Sequence, residues 1–216
     1  MCGRYALDPR KLDRLVRLLS LPQIELPIHY NITPGQDVPV IRNTTGKAEW
    51  AMMRWGLVPH WAKTRDTSYS TFNARVETAA RKPAFRDPWN RQHCIVPATG
   101  FYEWQALDSR RKQPWFFSHP DDECLALAGL WDRWTDGMNV LDSFTILVGP
   151  PDPMVAPIHD RSPVVLGDEA ARLWIDPLLK PENAARVLLA FQRPPLTAVR
   201  VERVANDGLH PLPHFQ

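Results

Sequence analysis

Proline constrains the fold of this chain more than any other residue type, because 22 of its 216 residues are prolines and only 10 are glycines. Each proline fixes its own φ, lacks a backbone N–H and disrupts the interior of a helix. Proline at about twice its usual share therefore favours short extended segments joined by rigid corners. The chain is not expected to form an all-helical bundle.

The length and composition predict one folded domain. Hydrophobic residues make up 44% of the chain and charged residues 23%, close to the averages of globular proteins. A chain of this length buries about 70% of the surface that its unfolded state exposes. Because no linker or internal repeat divides the sequence, we expect one domain over residues 1–207 and an extended tail over residues 208–216.

Charge and cysteine content narrow the class of protein. The formal net charge of +2 excludes nucleic-acid binding through overall charge alone, but twenty arginines to six lysines favour bidentate phosphate contacts wherever they share one face. The cysteines at positions 2, 94 and 124 lack the spacing of a zinc site or a disulfide framework. No apolar run is long enough for a signal peptide or a membrane span. We expect a cytoplasmic protein without metal, cofactor or membrane contact.

Apolar periodicity and turn signals predict an α+β fold. Residues 8–19 predict a capped amphipathic helix, and residues 37–59 have the alternation and central turn of a β-hairpin. Strong helix formers over residues 73–82 predict a short helix that begins at Asn73 and stops at Pro83.

The middle of the chain reads as a series of short strands. Apolar runs between residues 94 and 166 are separated by Pro, Gly or Asp, which is typical of an antiparallel barrel or sandwich. Two helices, over residues 168–175 and 181–191, and a last strand near residues 199–204 complete the prediction.

Cys2 follows the initiator methionine and has two interpretations. A cysteine is more often a small buried hydrophobic residue. If Met1 is removed, however, a free α-amine lies beside the thiol, and such a 1,2-aminothiol attacks an aldehyde and closes a thiazolidine ring. An α-amine with a pKa of about 7.7–8.0 is partly neutral at pH 7. The same amine can instead serve as the general base for its own thiol, as in N-terminal nucleophile hydrolases.

Three further polar residues are candidates for chemistry. Glu103 lies between aromatic residues in segment 100–104, where a raised pKa would suit proton transfer, although an acid on an edge strand facing water has the same pattern. His159 lies in the proline-bracketed loop 157–163, but a lone loop histidine is more often inert. A helix cap alone would explain Asn73.

Basic and aromatic residues are interleaved between residues 55 and 86. The basic residues are Arg75, Arg81, Lys82 and Arg86, and the aromatic residues before them are Trp55 and Trp61. Cations contact the backbone of single-stranded nucleic acid and flat rings stack on its unpaired bases. The alternative is that most tryptophans belong to the core, which we expect for Trp50, Trp115, Trp131 and Trp174.

Five motifs occur in one order along the chain. They are MCGR at residues 1–4, WGLVP at 55–59 followed by WA at 61–62, NARVET at 73–78, PATGFYEW at 97–104 and IHDR at 158–161. This series resembles the SOS response-associated peptidase (SRAP) family of abasic-site-processing proteins, from Cys2 to about residue 207. The chain departs from the family at Ser162, where Met is common, and at Thr99, where Asp or another small residue is usual.

The resemblance implies a single α+β domain with an antiparallel, barrel-like β core and flanking helices. It also implies a monomeric sensor of abasic sites in single-stranded DNA, associated with the nucleoid when bound, that forms a covalent thiazolidine crosslink through Cys2. Asn73 would orient the Cys2 amine and the sugar. Glu103 would move protons, and His159 would assist opening of the sugar ring.

The peptidase in the family's name implies removal of Met1, by self-cleavage or with assistance. The expected DNA contacts, from the resemblance and the basic segment together, are Arg4, Trp61, Arg75, Arg81, Lys82, Arg86 and Arg161. Glu77 belongs to the NARVET motif, and we expect its role to be structural.

Two rival interpretations remain at the level of sequence. A class II glutamine amidotransferase also begins Met-Cys-Gly with a Cys2 nucleophile, but the chain lacks its Arg-Trp-Ala-Thr-His-like and Asn-Gly-Glu segments. The other rival is a non-catalytic module for single-stranded nucleic acid in which Cys2 is incidental.

Overall fold

Strands form most of the regular structure, as the proline content predicts. The computed structural model describes residues 2–65, 70–202 and 204. Its strands are β1 (Tyr5–Leu7), β2 (His29–Ile32), β3 (Asp37–Asn43), β4 (Ala48–Trp55), β5 (Asn73–Arg75), β6 (His93–Ala98), β7 (Gly100–Ala106), β8 (Lys112–Ser118), β9 (Leu125–Thr135), β10 (Val140–Gly149), β11 (Ser162–Pro163), β12 (Val165–Leu166) and β13 (Thr197–Arg200). The α-helices are α1 (Asp13–Leu19), α2 (Val76–Ala79), α3 (Pro83–Arg91), α4 (Asp168–Trp174) and α5 (Pro181–Ala190).

A closed ring of five strands forms a barrel at the centre of the α+β fold. Its order is β10-β4-β3-β6-β9, and β9 pairs back onto β10 to close it. Four of these pairings are antiparallel, but β10 and β4 run parallel. An odd number of strands cannot alternate in direction around a closed ring, so one parallel pairing is unavoidable. The predicted barrel is confirmed, with the correction that its sheet is mixed.

A second sheet lies against this barrel and carries the beginning of the chain. Its order is β13-β8-β7-β1-β2, with every pairing antiparallel. The inner face of β1 and β7 belongs to the same buried cluster as the barrel, and the ring of Tyr5 packs edge-on against Trp55 at 5.2 Å. This packing places β1 and β7 against the barrel core beside Trp55.

The segment after residue 70 differs from the prediction. Asn73 does not cap a helix but begins β5, which pairs in parallel with β10 so that Asn73 lies opposite Ile146. This ladder satisfies backbone groups that a helix would otherwise have paired. The helical part is the single turn α2, and Pro83 starts α3 rather than ending the predicted helix, because proline suits the first turn.

Most other elements agree with the sequence-based predictions. The hairpin of β3 and β4 and the helices α4 and α5 form within the predicted segments. Asp8 caps as predicted, by accepting the Arg10 N–H at 3.1 Å, but it caps a short 3-10 turn before α1. Residues 1 and 208–216, which include the removable Met1 and the predicted tail, lie outside the described residues.

Candidate active site

Glu103 is a buried carboxylate on β7. Side chains alternate along a strand, and the position of Glu103 turns its side chain toward the interior, where it is 2% exposed. Burial raises its pKa to about 7, and the negative charge of Asp160 acts in the same direction. The edge-strand alternative is therefore excluded, because this carboxylate does not face water.

His159 faces Glu103 from the loop between β10 and β11. Its Nε2 lies 3.8 Å from Glu103 Oε2, and its Nδ1 accepts the Arg161 backbone N–H at 3.0 Å. Nδ1 also lies 3.2 Å from the Arg161 carbonyl oxygen and 3.1 Å from Asp160 Oδ1. In the neutral tautomer in which Nδ1 accepts the N–H, the proton is on Nε2, the nitrogen nearer Glu103. Burial lowers the pKa of His159. The histidine and the carboxylate thus face each other at 3.8 Å, slightly beyond hydrogen-bond distance.

Cys2 is fully buried beside this pair. Its Sγ lies 3.9 Å from the Arg4 carbonyl oxygen, and the side chain is 0% exposed. Burial, and secondly the negative charge of Glu103, raise the pKa of the Cys2 thiol far above its usual range. The thiol is therefore protonated near neutrality, and its use as a nucleophile requires a base.

Asn73 is connected to β1 through the ring of Trp55. Trp55 bridges the two regions, because its ring packs against Tyr5 on β1 and, at 6.1 Å, against Phe72 next to Asn73. The Asn73 Nδ2 donates to the Phe72 carbonyl oxygen at 2.9 Å. Its Oδ1 is buried and has no hydrogen-bond partner within the described part of the chain. An unsatisfied buried acceptor of this kind is unusual and suits a donor from a bound group.

Arg4 holds its guanidinium over an aromatic surface. Its Cζ lies 5.6 Å from the centroid of the Trp104 ring, and its Nη1 donates to Asn31 Oδ1 at 3.3 Å. Sequence analysis did not identify Asn31 or Trp104 as part of the site. The motif signals only that Trp104 is close to Glu103, and Asn31 lies on β2, which no pattern predicted.

A second arginine is fixed beside α2. Arg161 forms an ion pair with Glu77, and Arg81 Nη2 donates to the Glu77 carbonyl oxygen at 3.2 Å. Burial opposes ionisation of Glu77, but the hydrogen bond and charge of Arg161 lower its pKa overall. Glu77 therefore holds Arg161 in place. The exposed Arg75 lies two residues before Glu77.

The remaining predicted DNA contacts form a separate group near α3. Trp61 is 48% exposed, whereas Trp55 is 0% exposed and cannot stack on a base. Asp87 links the turn before Trp61 to α3, because it lies 3.8 Å from His60 Nε2 and 3.4 Å from Arg86 Nε. Lys82 is exposed just before this helix.

The two departures from the family pattern both serve hydrogen bonds. Thr99 Oγ1 accepts the Asp8 N–H at 2.7 Å, and Ser162 Oγ accepts the Asp152 N–H at 3.0 Å. The next residue, Gly100, has to be glycine because a Cβ at position 100 would lie 2.4 Å from the Phe117 carbonyl oxygen. These residues fix β7 and the histidine loop against their neighbours.

Neither a metal centre nor a spanning helix is found in the part of the chain that the structure describes. Within that part, His, Cys, Asp and Glu side chains do not gather in groups of three or more that could hold a metal ion. None of the described helices combines the length and apolar character needed to cross a membrane.

Comparison with known proteins agrees with the motifs. The chain is 34% identical over 213 residues to "Abasic site processing protein YoqW" of Bacillus subtilis, covering 96% of this chain and 95% of that protein. It is 28% identical to "Abasic site processing protein YedK" of Escherichia coli, over 87% of this chain and 85% of that protein. A crystal structure of a Bordetella bronchiseptica protein superposes with a TM-score of 0.79 at 28% identity, covering 94% of this chain and 100% of the other.

The family match extends over almost the entire length. Residues 1–207 match the family described as SOS response associated peptidase (SRAP). Together with the barrel and the clustered motif residues, this match shows that the chain belongs to the SRAP family.

Proposed function

We propose that this protein processes abasic sites in single-stranded DNA by forming a covalent crosslink through Cys2. One observation carries the proposal: the Glu103 carboxylate, with a pKa of about 7, lies close to both the Cys2 thiol and the His159 imidazole. A carboxyl that titrates near neutrality can both donate and accept protons at the pH of the cell. That property matches a reaction with several proton transfers.

The bonds follow from the chemistry of an aminothiol. After Met1 has been removed, the Cys2 α-amine adds to the C1′ aldehyde of the ring-opened deoxyribose to give a carbinolamine. Loss of one water gives a Schiff base. The thiol then adds to the imine carbon and its proton moves to nitrogen, which closes a thiazolidine ring. The whole reaction forms one C–N bond and one C–S bond and releases one water.

Three side chains have separate tasks in this sequence. Glu103 accepts protons from the amine and thiol and returns one to the leaving water. His159 donates a proton from Nε2 to the ring oxygen of the closed sugar. The bond between C1′ and that oxygen breaks, and the C1′ hydroxyl releases its proton as it becomes the aldehyde. Asn73 Oδ1, the buried acceptor without a partner among the described residues, receives a hydrogen bond from the Cys2 amine and orients it.

Removal of Met1 is a separate hydrolytic step that consumes one water. We propose that the chain itself contributes to this cleavage, in keeping with the family's name, because Glu103 can serve as the base that a buried thiol requires. Only the processed chain has a free amine at Cys2. The blocked chain would bind DNA without crosslinking.

DNA is held by two groups of residues. Arg4, Arg75 and Arg161 lie around the reactive end and contact the phosphates flanking the lesion, with Arg81 beside them. Trp61, Lys82 and Arg86 near α3 contact the strand further on, with the exposed indole against a base. We further propose a monomer, with residues 1–207 as the working domain and 208–216 as a tail, that acts in the cytoplasm on nucleoid DNA.

The test is formation of an adduct that survives denaturation. The protein is incubated with single-stranded oligonucleotides carrying one abasic site, with intact strands and with abasic duplexes, and the products are separated on a denaturing gel. We expect an adduct with the abasic single strand that Cys2→Ala abolishes and Cys94→Ala retains, since Cys94 is equally buried but lies within β6. No adduct, or an adduct that persists in Cys2→Ala, would show the proposal to be wrong.

A further inference from the structure

His159 is presented by a compact turn over residues 152–159. The Asp152 carbonyl oxygen accepts the N–H groups of Val155 and Ala156 at 2.9 and 2.8 Å. The Val155 carbonyl oxygen accepts the His159 N–H at 3.0 Å, and the Val155 side chain is fully buried. Backbone hydrogen bonds therefore connect the first residue of the turn, Asp152, through Val155 to His159.

Ser162 fixes that first residue. Its Oγ accepts the Asp152 N–H at 3.0 Å, and the side chain is only 1% exposed. Ser162 also pairs with Gly149 across β10 and β11. The hydroxyl thus connects the start of the turn to the strand that follows it, so that both ends of the loop are held against β10.

We propose that Ser162 is a positioning residue that sets the His159 imidazole opposite Glu103. What His159 does there rests on the proposed function, but its placement does not. The imidazole Nε2 lies 3.8 Å from the Glu103 carboxylate, so a small shift of the turn changes this distance directly. A displacement of about 1 Å in a reacting group can cost up to a hundredfold in rate. The hydrogen bond at the far end of the turn controls that distance.

The chain contains a matched control in Ser143. This serine on β10 is 0% exposed, and its Oγ accepts the backbone N–H of Val58 at 2.8 Å. It therefore makes the same kind of bond, from a strand to a loop segment remote in sequence, but the segment does not carry His159. Ser162→Ala and Ser143→Ala remove equivalent hydroxyls, so a shared loss of stability cancels in the comparison.

The experiment is a double-mutant cycle on the crosslinking rate at saturating abasic oligonucleotide. Ser162→Ala is expected to lower the rate three- to tenfold, and Ser162→Thr, which keeps the hydroxyl, to restore it. In a His159→Gln background Ser162→Ala should have no further effect, because the group that it positions is gone. Ser143→Ala should leave the rate within twofold of the wild type in both backgrounds. A wild-type rate in Ser162→Ala, or losses that multiply with His159→Gln, would overturn the proposal.

A second readout does not depend on the reaction. The imidazole nitrogen resonances of His159 are recorded by NMR in the wild-type protein and in both serine variants. Ser162→Ala should shift or broaden these signals and Ser143→Ala should not. If the wild type forms no crosslink but the signals respond in this way, the proposed function fails and the positioning role stands. Unchanged His159 signals in folded Ser162→Ala would refute the positioning role.

Discussion

In the part of the chain that the structure describes, two pairs of a histidine and a buried carboxylate differ in how the carboxylate is held. Asp132 and Glu103 are each 2% exposed. The Asp132 oxygens accept the backbone N–H groups of His60 and Arg133, both at 2.8 Å, and lie 2.9 Å from His60 Nδ1. Glu103 lies 3.8 Å from His159, beside a protonated thiol.

The difference shows why burial alone does not identify a catalytic acid. Backbone N–H groups that donate to a carboxylate occupy its oxygens and connect a loop to a strand, as they do at Asp132 for the turn before Trp61. A carboxylate whose burial instead favours the neutral form, as for Glu103, is ready to gain or lose a proton. Predictions that exchange each residue for its neutral analogue test this distinction.

The largest expected effect is on the crosslinking rate of Glu103→Gln. This change removes the proton acceptor and should lower the rate by about a hundredfold or more, the range of general acid–base catalysis. Asp132→Asn should change the rate at saturating DNA by less than about threefold, while losing about 1–3 kcal/mol of stability because a backbone N–H loses its acceptor. Rates from quenched time courses and unfolding midpoints give both quantities. Equal rate losses in the two variants would contradict the assigned roles.

The difference in stability between Glu103→Gln and the wild type should depend on pH in a defined direction. The pKa of Glu103 is about 7 in the folded protein and about 4.3 in the unfolded chain, so folding favours the protonated form. The stabilising contribution is complete below about pH 4 and is lost as the pH rises through 7. Glu103→Gln should therefore be more stable than the wild type by about 2–4 kcal/mol at pH 8 and nearly equal at pH 4. Urea unfolding of both proteins at pH 4 and pH 8 measures this difference. The same stability difference at both pH values would be inconsistent with a neutral buried acid.

A smaller effect is expected at the histidines. His159→Gln should slow crosslinking by at least about tenfold, because the sugar ring then opens without a proton donor. A substrate analogue locked as the open aldehyde should recover most of that loss. His60→Gln should leave the rate unchanged within about twofold. Failure of the open aldehyde to rescue His159→Gln would remove ring opening from the role of this residue.

The smallest expected effect is on the salt dependence of binding. Arg161→Gln should reduce the slope of log affinity against log salt by about 1, because one phosphate contact is lost. Arg133→Gln is the matched control, since Arg133 is also held in an ion pair, with Asp142, but is not among the proposed DNA contacts. Fluorescence anisotropy with an intact single strand measures the slope without any covalent step. An unchanged slope in Arg161→Gln would exclude Arg161 from the phosphate contacts.

Sequence analysis predicted the parts of this molecule that depend on local patterns. The alternation in residues 37–59, the cap at Asp8 and the helices near the end of the chain all form where predicted. Asn73 was misassigned because its backbone conformation is decided by pairing with β10, more than seventy residues away in sequence. Helix propensity over residues 73–82 carries no information about that partner.

In the candidate site, too, the sequence predicts the residues that lie in motifs but not those that depend on contacts between distant segments. The motifs contain Cys2, Glu103 and His159, and the aromatic neighbours of Glu103 predicted its raised pKa, which the structure confirms. The role of Ser162 in the histidine loop depends on a hydrogen bond to Asp152, ten residues earlier, and no periodicity signals that contact. Asn31 lies beside Arg4 only because β1 and β2 pair in this register.

The mass of the intact adduct tests directly whether Cys2 forms the crosslink after Met1 has been removed. The protein is incubated with a single-stranded oligonucleotide that carries one abasic site, and the product is measured by mass spectrometry without digestion. We expect the mass of the chain without Met1 plus that of the oligonucleotide less one water, with no such species in Cys2→Ala. An adduct that retains Met1, or one that also forms in Cys2→Ala, would contradict it.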